Sequence, residues 1–180
     1  MIVEQITTQT TIETPRFVMR PLRVSDAGLI AQHCNDPRVA EATTQMPHPF
    51  PPGGAEALID RAQRPDRSED VWAIDGSHGG HSEVMGLVYL TGMDRQQDEV
   101  RYWVAPGFWN SGIASEAVRA LIEANPHKAG LIFAEVMQTN PASARVLTNC
   151  GFEYIGDAET YCVAKEALVP TWTYSLKLGT

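Results

Sequence analysis

The stretch EVRYWVAPGFWNSGIASEA, residues 99–117, indicates most about the fold of this chain. It has the pattern of a strand, a polar turn containing Gly112 and the start of an amphipathic helix. The first turn of a helix leaves its N–H groups without partners inside the helix, and the helix dipole adds positive potential there. Such a turn suits an anion, typically a phosphate, although an ordinary strand-to-helix connection with a glycine has the same pattern.

Length and composition favour one globular domain. The 180 residues can bury a substantial core, and we expect a single domain over 1–180 in which residues 1–13 could form an irregular N-terminal segment. No apolar run approaches the roughly 18 residues that a membrane span needs. The N-terminus lacks the basic start and apolar stretch of a signal peptide, so we expect a cytoplasmic protein without membrane association.

Charge and cysteine content argue against several classes of function. The net charge of −8 disfavours broad nucleic-acid binding, which needs a basic surface. The three cysteines form no CxxC pair, which fits a reducing compartment and no disulfide framework. His78 and His81 lie in a glycine-rich turn without a cluster of cysteines or carboxylates, so we predict no metal site.

The hydrophobic pattern along the chain predicts an α+β fold, with helices first, then an antiparallel meander, then strand, helix, strand, helix and strand. Strands are predicted at residues 16–22, 71–74, 85–91, 100–104, 131–136, 152–156 and 172–177. Helices are predicted at residues 25–34 with Ser25 as N-cap, and at 38–43, 54–63, 111–124 and 141–150.

A second informative block follows the opening stretch after one helix and one strand. Asn140-Pro141 is a strong helix start, with Asn140 as N-cap and proline at the first helical position. Gly151 supplies the stop. Alone, this block predicts only a well-capped helix, but its fixed order after the first block makes the two together specific.

Together these blocks resemble the GNAT superfamily of acetyl-CoA-dependent N-acetyltransferases. Its pyrophosphate pattern, Gln/Arg-x-x-Gly-x-Gly/Ala, here becomes WNSGIA at residues 109–114. The branch of ribosomal-protein alanine and serine acetyltransferases resembles this chain further, at EVRYWV in residues 99–104 and at Asn140, Ser143 and Gly151-Phe152. The resemblance begins near residue 14 and continues to the end of the chain.

The resemblance implies a GNAT fold, which is a mixed, mostly antiparallel sheet with a splayed parallel strand pair and helices on both faces. The strand before the turn would carry a bulge, and the strands at 101–104 and 133–137 would splay to admit acetyl-CoA as acyl donor, without a metal. The residues implied in binding acetyl-CoA are Trp103, Val104, Trp109, Asn110, Ser111, Gly112, Ile113, Ala114, Asn140 and Ser143. In this scheme, the amides near Trp103 and Val104 hold the pantetheine arm or thioester carbonyl, and those of residues 110–114 hold the pyrophosphate.

The resemblance also implies two catalytic residues. Acetyl transfer needs a neutral amine, so a base must accept its proton, and Glu99 matches the acidic position of the branch. Many GNAT enzymes place a tyrosine acid where this chain has Leu147, which cannot donate a proton. The branch presents a serine instead, here Ser143. Glu99 could equally be a solvated carboxylate, and Ser143 could simply support the first turn of its helix.

The implied function is direct transfer of acetyl to a primary amine, and the resemblance to the branch suggests the α-amino group of a protein or peptide. Two alternatives stay open: a small-molecule amine acetyltransferase, acting on a polyamine, amino acid or drug, and a module that binds acyl-CoA without turnover. We expect residues 25–60 and 157–170 to build the acceptor pocket. We expect the protein to be a monomer or a homodimer.

Overall fold

A computed structural model describes residues 9–179 and shows one mixed sheet of eight strands in the order β1-β2-β3-β4-β5-β6-β8-β7. The strands are β1 (Ile12–Glu13), β2 (Val18–Pro21), β3 (Glu69–Asp75), β4 (Gly86–Met93), β5 (Gln97–Val104), β6 (Leu131–Met137), β7 (Glu153–Cys162) and β8 (Ala167–Lys177). The α-helices are α1 (Ala27–Cys34), α2 (Pro37–Ala40), α3 (Gly54–Gln63), α4 (Ile113–Ala124) and α5 (Pro141–Asn149). Short 3₁₀ turns lie at Val24–Asp26, Ser77–Gly79 and Pro106–Phe108.

The strand directions confirm the predicted fold class. Within the described chain β5 and β6 are the parallel pair, and every other neighbouring pair is antiparallel. The predicted meander is β3-β4-β5. No helix among the described residues is long and apolar enough to cross a membrane.

Helices cover both faces of the sheet, and each face has its own core. Residues of α4 and α5, such as Leu121 and Leu147, pack with Trp72 and Ile132 on one face. Residues of α1–α3, such as Ile30 and Ile59, pack with Leu87 and Trp103 on the other. Successive residues of a strand face opposite sides, so β5 sends Val100 and Val104 into the first core and Trp103 into the second.

The start of the first helix differs from the prediction. Ser25 lies inside a 3₁₀ turn, and Asp26 is the N-cap of α1. The buried Asp26 carboxylate accepts the N–H of Arg23 at 2.8 Å and two guanidinium hydrogen bonds from Arg20 at 2.9 Å. The prediction of Ser25 was wrong because this buried ion pair between residues six positions apart fixes Asp26 at the turn, which N-cap propensity alone does not show.

Both ends of the described range are more regular than predicted. Ile12–Glu13 pairs with β2, although residues 1–13 were expected to be irregular; residues 1–8 lie outside the described range. The C-terminal hairpin is also longer than expected, because β7 is an edge strand whose mostly exposed side chains carry no clear apolar pattern. Gly151, at φ +93°, ends the α5 region as predicted.

Candidate active site

Strands β5 and β6 separate halfway along their length. They pair from Gln97 with Leu131 to Glu99 with Phe133, and the pairing stops there. Beyond that point β5 continues to pair with β4 up to Val104, and β6 continues to pair with β8 up to Met137. This is the splay expected between residues 101–104 and 133–137.

The bulge expected in β5 is not found. Strand β4 pairs with β5 in one uninterrupted register, from Gly86 opposite Val104 to Met93 opposite Gln97. A bulge would shift that register by one residue. Strand β5 therefore keeps a regular register with β4 along the whole opening.

The direction of the backbone groups decides which of them face the opening. The N–H of Ala105 donates to Met85 of the β4 side at 2.8 Å, and the carbonyl of Gln96 accepts from Gly130 of the β6 side at 2.8 Å. Backbone groups of successive strand residues point to alternate sides, so those of Tyr102 and Val104 face the opening. The same alternation turns the N–H of Trp103 toward β4, and this moves the expected pantetheine contact from Trp103 to Tyr102.

A cavity of about 580 Å³ extends from this opening across the α1–α3 face. Tyr102, Ala134, Val136 and Ser143 line it at the opening. The wall on the α1–α3 side includes Met46, Phe50, Leu58, Arg61, Glu69, Tyr89, Arg101, Trp103 and Glu135. The cavity thus joins the expected acyl-donor channel to a second region with both apolar and charged walls.

The acceptor side of the cavity is only partly as expected. The range 25–60 contributes to the wall, as Met46 and Leu58 show, but among the described lining residues there is none from 157–170. The β7–β8 tip instead supports the wall from behind, since the N–H of Val163 donates to the carbonyl of Thr44 at 2.9 Å.

The turn between β5 and α4 has a backbone suited to an anion. Asn110 and Gly112 both have left-handed φ angles, of 58° and 78°, and Gly112 is the N-cap of α4. No hydrogen bond described in the chain uses the N–H groups of residues 110–114. Trp109 is held by its indole N–H, which donates to the carbonyl of Val104 at 2.6 Å. These five N–H groups are therefore available to an anion beside the opening.

Sequence reasoning missed Arg16, which the fold brings to this turn. Its guanidinium donates to the carbonyl of Ser111 at 2.8 Å and pairs with the carboxylate of Glu116 in the first turn of α4. One of its nitrogens lies 3.5 Å from the position that a Cβ on Gly112 would take. Arg16 begins the strand predicted at residues 16–22, but 95 positions separate it from Ser111, so no local sequence signal indicates the contact.

Asn140 and Ser143 lie at the start of α5, on the other side of the opening. The Asn140 side chain accepts the N–H of Ser143 at 3.3 Å, which confirms Asn140 as N-cap. The hydroxyl of Ser143 lies 2.8 Å from the Tyr102 hydroxyl, and the same phenol oxygen lies 3.2 Å from the carbonyl oxygen of Ser143. Sequence reasoning named Ser143 but not the tyrosine that contacts it.

Glu99 lies on the α1–α3 face at the last position of β5 that pairs with β6. Burial raises the pKa of its carboxyl group, Arg101 opposes that shift, and the charges of Glu135 and Glu69 add to it. Arg101 bonds Glu69 at 2.6 Å and approaches Glu99 only to 3.8 Å. Glu99 is 36% exposed at its side chain and is not among the described residues that line the cavity, so a water molecule or a small movement must link it to an amine there.

Comparison with known proteins establishes the family. Residues 16–153 match the family model described as an acetyltransferase (GNAT) domain, which covers most of the chain. The chain belongs to the GNAT acetyltransferase family. This GNAT acetyltransferase is 26% identical over 179 residues to an uncharacterized N-acetyltransferase, p20, of Bacillus licheniformis, covering 92% of this chain and 95% of that protein.

Solved structures of other GNAT proteins share the fold. One is a ribosomal-protein-S5-alanine acetyltransferase from Vibrio fischeri, with a TM-score of 0.77 and 20% identity over 94% of this chain and 97% of the other. Another is a spermidine N-acetyltransferase from Vibrio cholerae in complex with CoA and spermine, with a TM-score of 0.78 and 16% identity over 91% and 96% of the two chains. At these identities the likeness concerns the fold alone, and the two proteins differ in the acceptors that their names give.

Proposed function

We propose that this GNAT acetyltransferase transfers acetyl from acetyl-CoA to the α-amino group of a protein or peptide. The observation that carries the proposal is the opening between β5 and β6, which leads from the five available N–H groups of residues 110–114 into the cavity. An extended pantetheine arm fits such an opening because its amides can bond to the strand edges as an added strand would.

The backbone around the opening supplies contacts of two kinds. The N–H and carbonyl groups of Tyr102 and the N–H of Val104 face the arm, and one of these N–H groups would bond the thioester oxygen. A donor aimed at an oxygen that gains negative charge during the reaction can contribute a large catalytic effect. The turn at residues 110–114 would hold the pyrophosphate, with Arg16 adding positive charge that the turn sequence itself lacks.

Glu99 would act as the base, directly or through water. A carboxyl group with a raised pKa takes up a proton more readily than an ordinary one, which suits this role. The α-amino group of a peptide has a pKa of about 7.7–8.0, against about 10.4 for a lysine side chain. Removing its proton is therefore easier by roughly 3 kcal/mol, which favours an α-amino acceptor over an alkylamine.

The test is release of CoA thiol from acetyl-CoA across matched acceptors. The panel pairs lysine-free peptides that carry a free N-terminus with the same peptides blocked by formylation, and adds a lysine peptide blocked at its N-terminus, spermidine and free amino acids. We expect turnover only with the free-N-terminus peptides, confirmed by mass spectrometry of the acetylated product. Turnover confined to spermidine or amino acids would replace the peptide with a small amine. Binding of acetyl-CoA, seen as a raised Tm, without turnover on any acceptor would contradict catalysis.

A further inference from the structure

The departing sulfur of CoA needs a hydrogen-bond donor, and the usual position on α5 cannot supply one. That position is occupied by Leu147, which is fully buried and has no donor. Ser143, one turn earlier on α5, lines the cavity at the opening. The direction of this hydroxyl matters for acetyl transfer, so what we infer about it rests on the proposed function.

Tyr102 reaches Ser143 from the opposite strand. Its side chain packs against the core on the α4–α5 face, and its hydroxyl contacts both oxygens of Ser143, at 2.8 Å to Oγ and 3.2 Å to the carbonyl. The two residues also line the cavity together where β5 and β6 part. The phenol thus brings a polar group beside Ser143 at the opening.

A phenol has one proton, and the direction of that proton decides what Ser143 can do. When the Tyr102 proton points to the Ser143 carbonyl, the serine hydroxyl can donate its own hydrogen bond to the phenol oxygen, away from the opening. When the Tyr102 proton points to Ser143 Oγ, the serine proton is left to point into the opening. The 2.8 Å separation is typical of a good O–H···O hydrogen bond, so both arrangements are available without movement of the backbone.

We propose that Tyr102 is a positioning residue that donates its hydroxyl hydrogen bond to Ser143 Oγ and so directs the Ser143 O–H at the sulfur of the acyl donor. As the carbon–sulfur bond breaks, its electron pair leaves on sulfur, and the Ser143 O–H bonds to that charge. Neither O–H bond breaks: the proton that finally neutralises the thiolate is one given up by the amine. Burial raises the pKa of the Tyr102 phenol, which keeps it neutral and able to donate throughout.

A double-mutant cycle separates this role from a purely structural one. Tyr102→Phe keeps the ring and removes the hydroxyl, and Ser143→Ala removes the group through which Tyr102 acts. We expect Tyr102→Phe to lower kcat about five- to tenfold with the KM for acetyl-CoA within twofold, and Ser143→Ala to lower kcat at least as much. The double variant should be no slower than Ser143→Ala alone. Tyr154→Phe, which removes an exposed hydroxyl bonded to Asp157, is the matched control and should leave kcat unchanged.

Two results would overturn the inference. One is a Tyr102→Phe enzyme with kcat within twofold of the parent, and the other is losses that multiply in the double variant. Should Tyr102→Phe fold poorly by its Tm, Ser143→Thr serves instead: it keeps a hydroxyl and should retain most of kcat, whereas loss equal to that of Ser143→Ala would contradict the role. If the parent enzyme releases no thiol with any acceptor, the proposed function itself fails. If the parent is active and Tyr102→Phe has the same kcat, only the role of Tyr102 fails.

Discussion

The parallel pair β5 and β6 has a closed end and an open end, and they are built from different interactions. At the closed end, residues 97–99 pair with residues 131–133, and polar side chains add a clamp across the sheet. At the open end the strands part, and backbone groups that a sheet would normally pair are left facing a cavity. We expect acetyl transfer at the open end, where backbone N–H and carbonyl groups have no partner within the sheet.

The clamp at the closed end centres on His127, in the loop between α4 and β6. Its two ring nitrogens lie 2.8 Å from Asp70 of β3 and 3.1 Å from Asp98 of β5. Asp98 is buried, and one of its carboxylate oxygens has no hydrogen-bond partner among the described residues. Asp70 also accepts a hydrogen bond from Arg67 at 2.7 Å, so a protonated imidazole adds positive charge chiefly where Asp98 needs it.

The contrast teaches that one strand pair can separate stability from function. The pairing of residues 97–99 with residues 131–133 fixes the base of the opening, and β5 and β6 part directly beyond it. The open end can then expose unpaired groups at a cost that the closed end and the two cores offset.

The largest effect is expected from Glu99→Gln, at the junction of the two ends. We expect kcat/KM to fall about 10²-fold, within the range for a general base, with the affinity for acetyl-CoA unchanged. The acidic limb of the pH–rate profile should lie above the ordinary carboxyl pKa in the parent, because burial raises the pKa of Glu99, and should disappear in the variant. Glu153→Gln, on the exposed edge strand, is the control. Turnover within a few-fold of the parent would show that Glu99 is not the base.

The closed end is tested by His127→Gln, which keeps the size and hydrogen-bonding capacity but removes the charge. Hydrogen bonding to Asp70 raises the pKa of His127, against the effect of burial and with help from Asp98. A raised folded pKa contributes stability that is fully present below the unfolded pKa of about 6.5 and is lost as pH rises through the folded pKa. We expect the variant to be less stable at pH 6 by about 2 kcal/mol, or roughly 4–8 °C in Tm.

Thermal melts of both proteins from pH 6 to 9 check this directly. The Tm difference should narrow toward pH 9, and acetyl-CoA affinity at pH 6 should be unchanged. A difference that stays constant over this range would mean that His127 is not charged in the fold.

The turn at the open end is tested by a pair of glycines. Gly112 and Gly53 are both helix N-caps with left-handed φ, at 78° and 76°, and only Gly112 lies at the proposed pyrophosphate site. Alanine at either position should cost about 1–2 kcal/mol of stability through backbone strain. We expect Gly112→Ala alone to raise the Kd for acetyl-CoA, about tenfold by isothermal titration. Equal effects on Kd at both sites would mean that the turn does not contact the ligand.

The smallest effect is expected from Arg16→Gln. Its half-exposed guanidinium is screened by solvent, so the Kd for acetyl-CoA should rise about three- to fivefold, close to 1 kcal/mol. The KM for acetyl-pantetheine, which has no phosphates, should not change. Arg38→Gln removes another exposed arginine that is paired with Asp36 and serves as the control for net charge. An equal rise in the KM for acetyl-pantetheine would show that Arg16 only supports the structure of the turn.

Much of the open end could be predicted from the sequence because it is built from local signals. The Gly112 turn, the Asn140 cap and the Gly151 stop depend on neighbours a few residues away, and all three lie where they were expected. The side chains that complete the site could not be found this way. Arg16 reaches Ser111, and Tyr102 reaches Ser143, across 95 and 41 residues, and no periodicity encodes such contacts.

The same limit explains the errors. The expected pantetheine contact of Trp103 depended on which side of β5 its N–H group faces, and only the register of β4 against β5 decides this. The expected pocket wall at residues 157–170 is instead an edge hairpin, because those residues extend β7 and β8. The acceptor side of the cavity draws on loops and α3, whose residue types carry no chemical pattern.

The most direct test of the open end as the acetyl-CoA channel is residue-resolved amide hydrogen exchange by NMR, with and without CoA. We predict that CoA slows exchange at Tyr102, Val104 and residues 110–114, while residues 97–99 are already protected and do not change. Unchanged exchange at Tyr102 and Val104 under saturating CoA, or protection confined to another surface, would contradict the account.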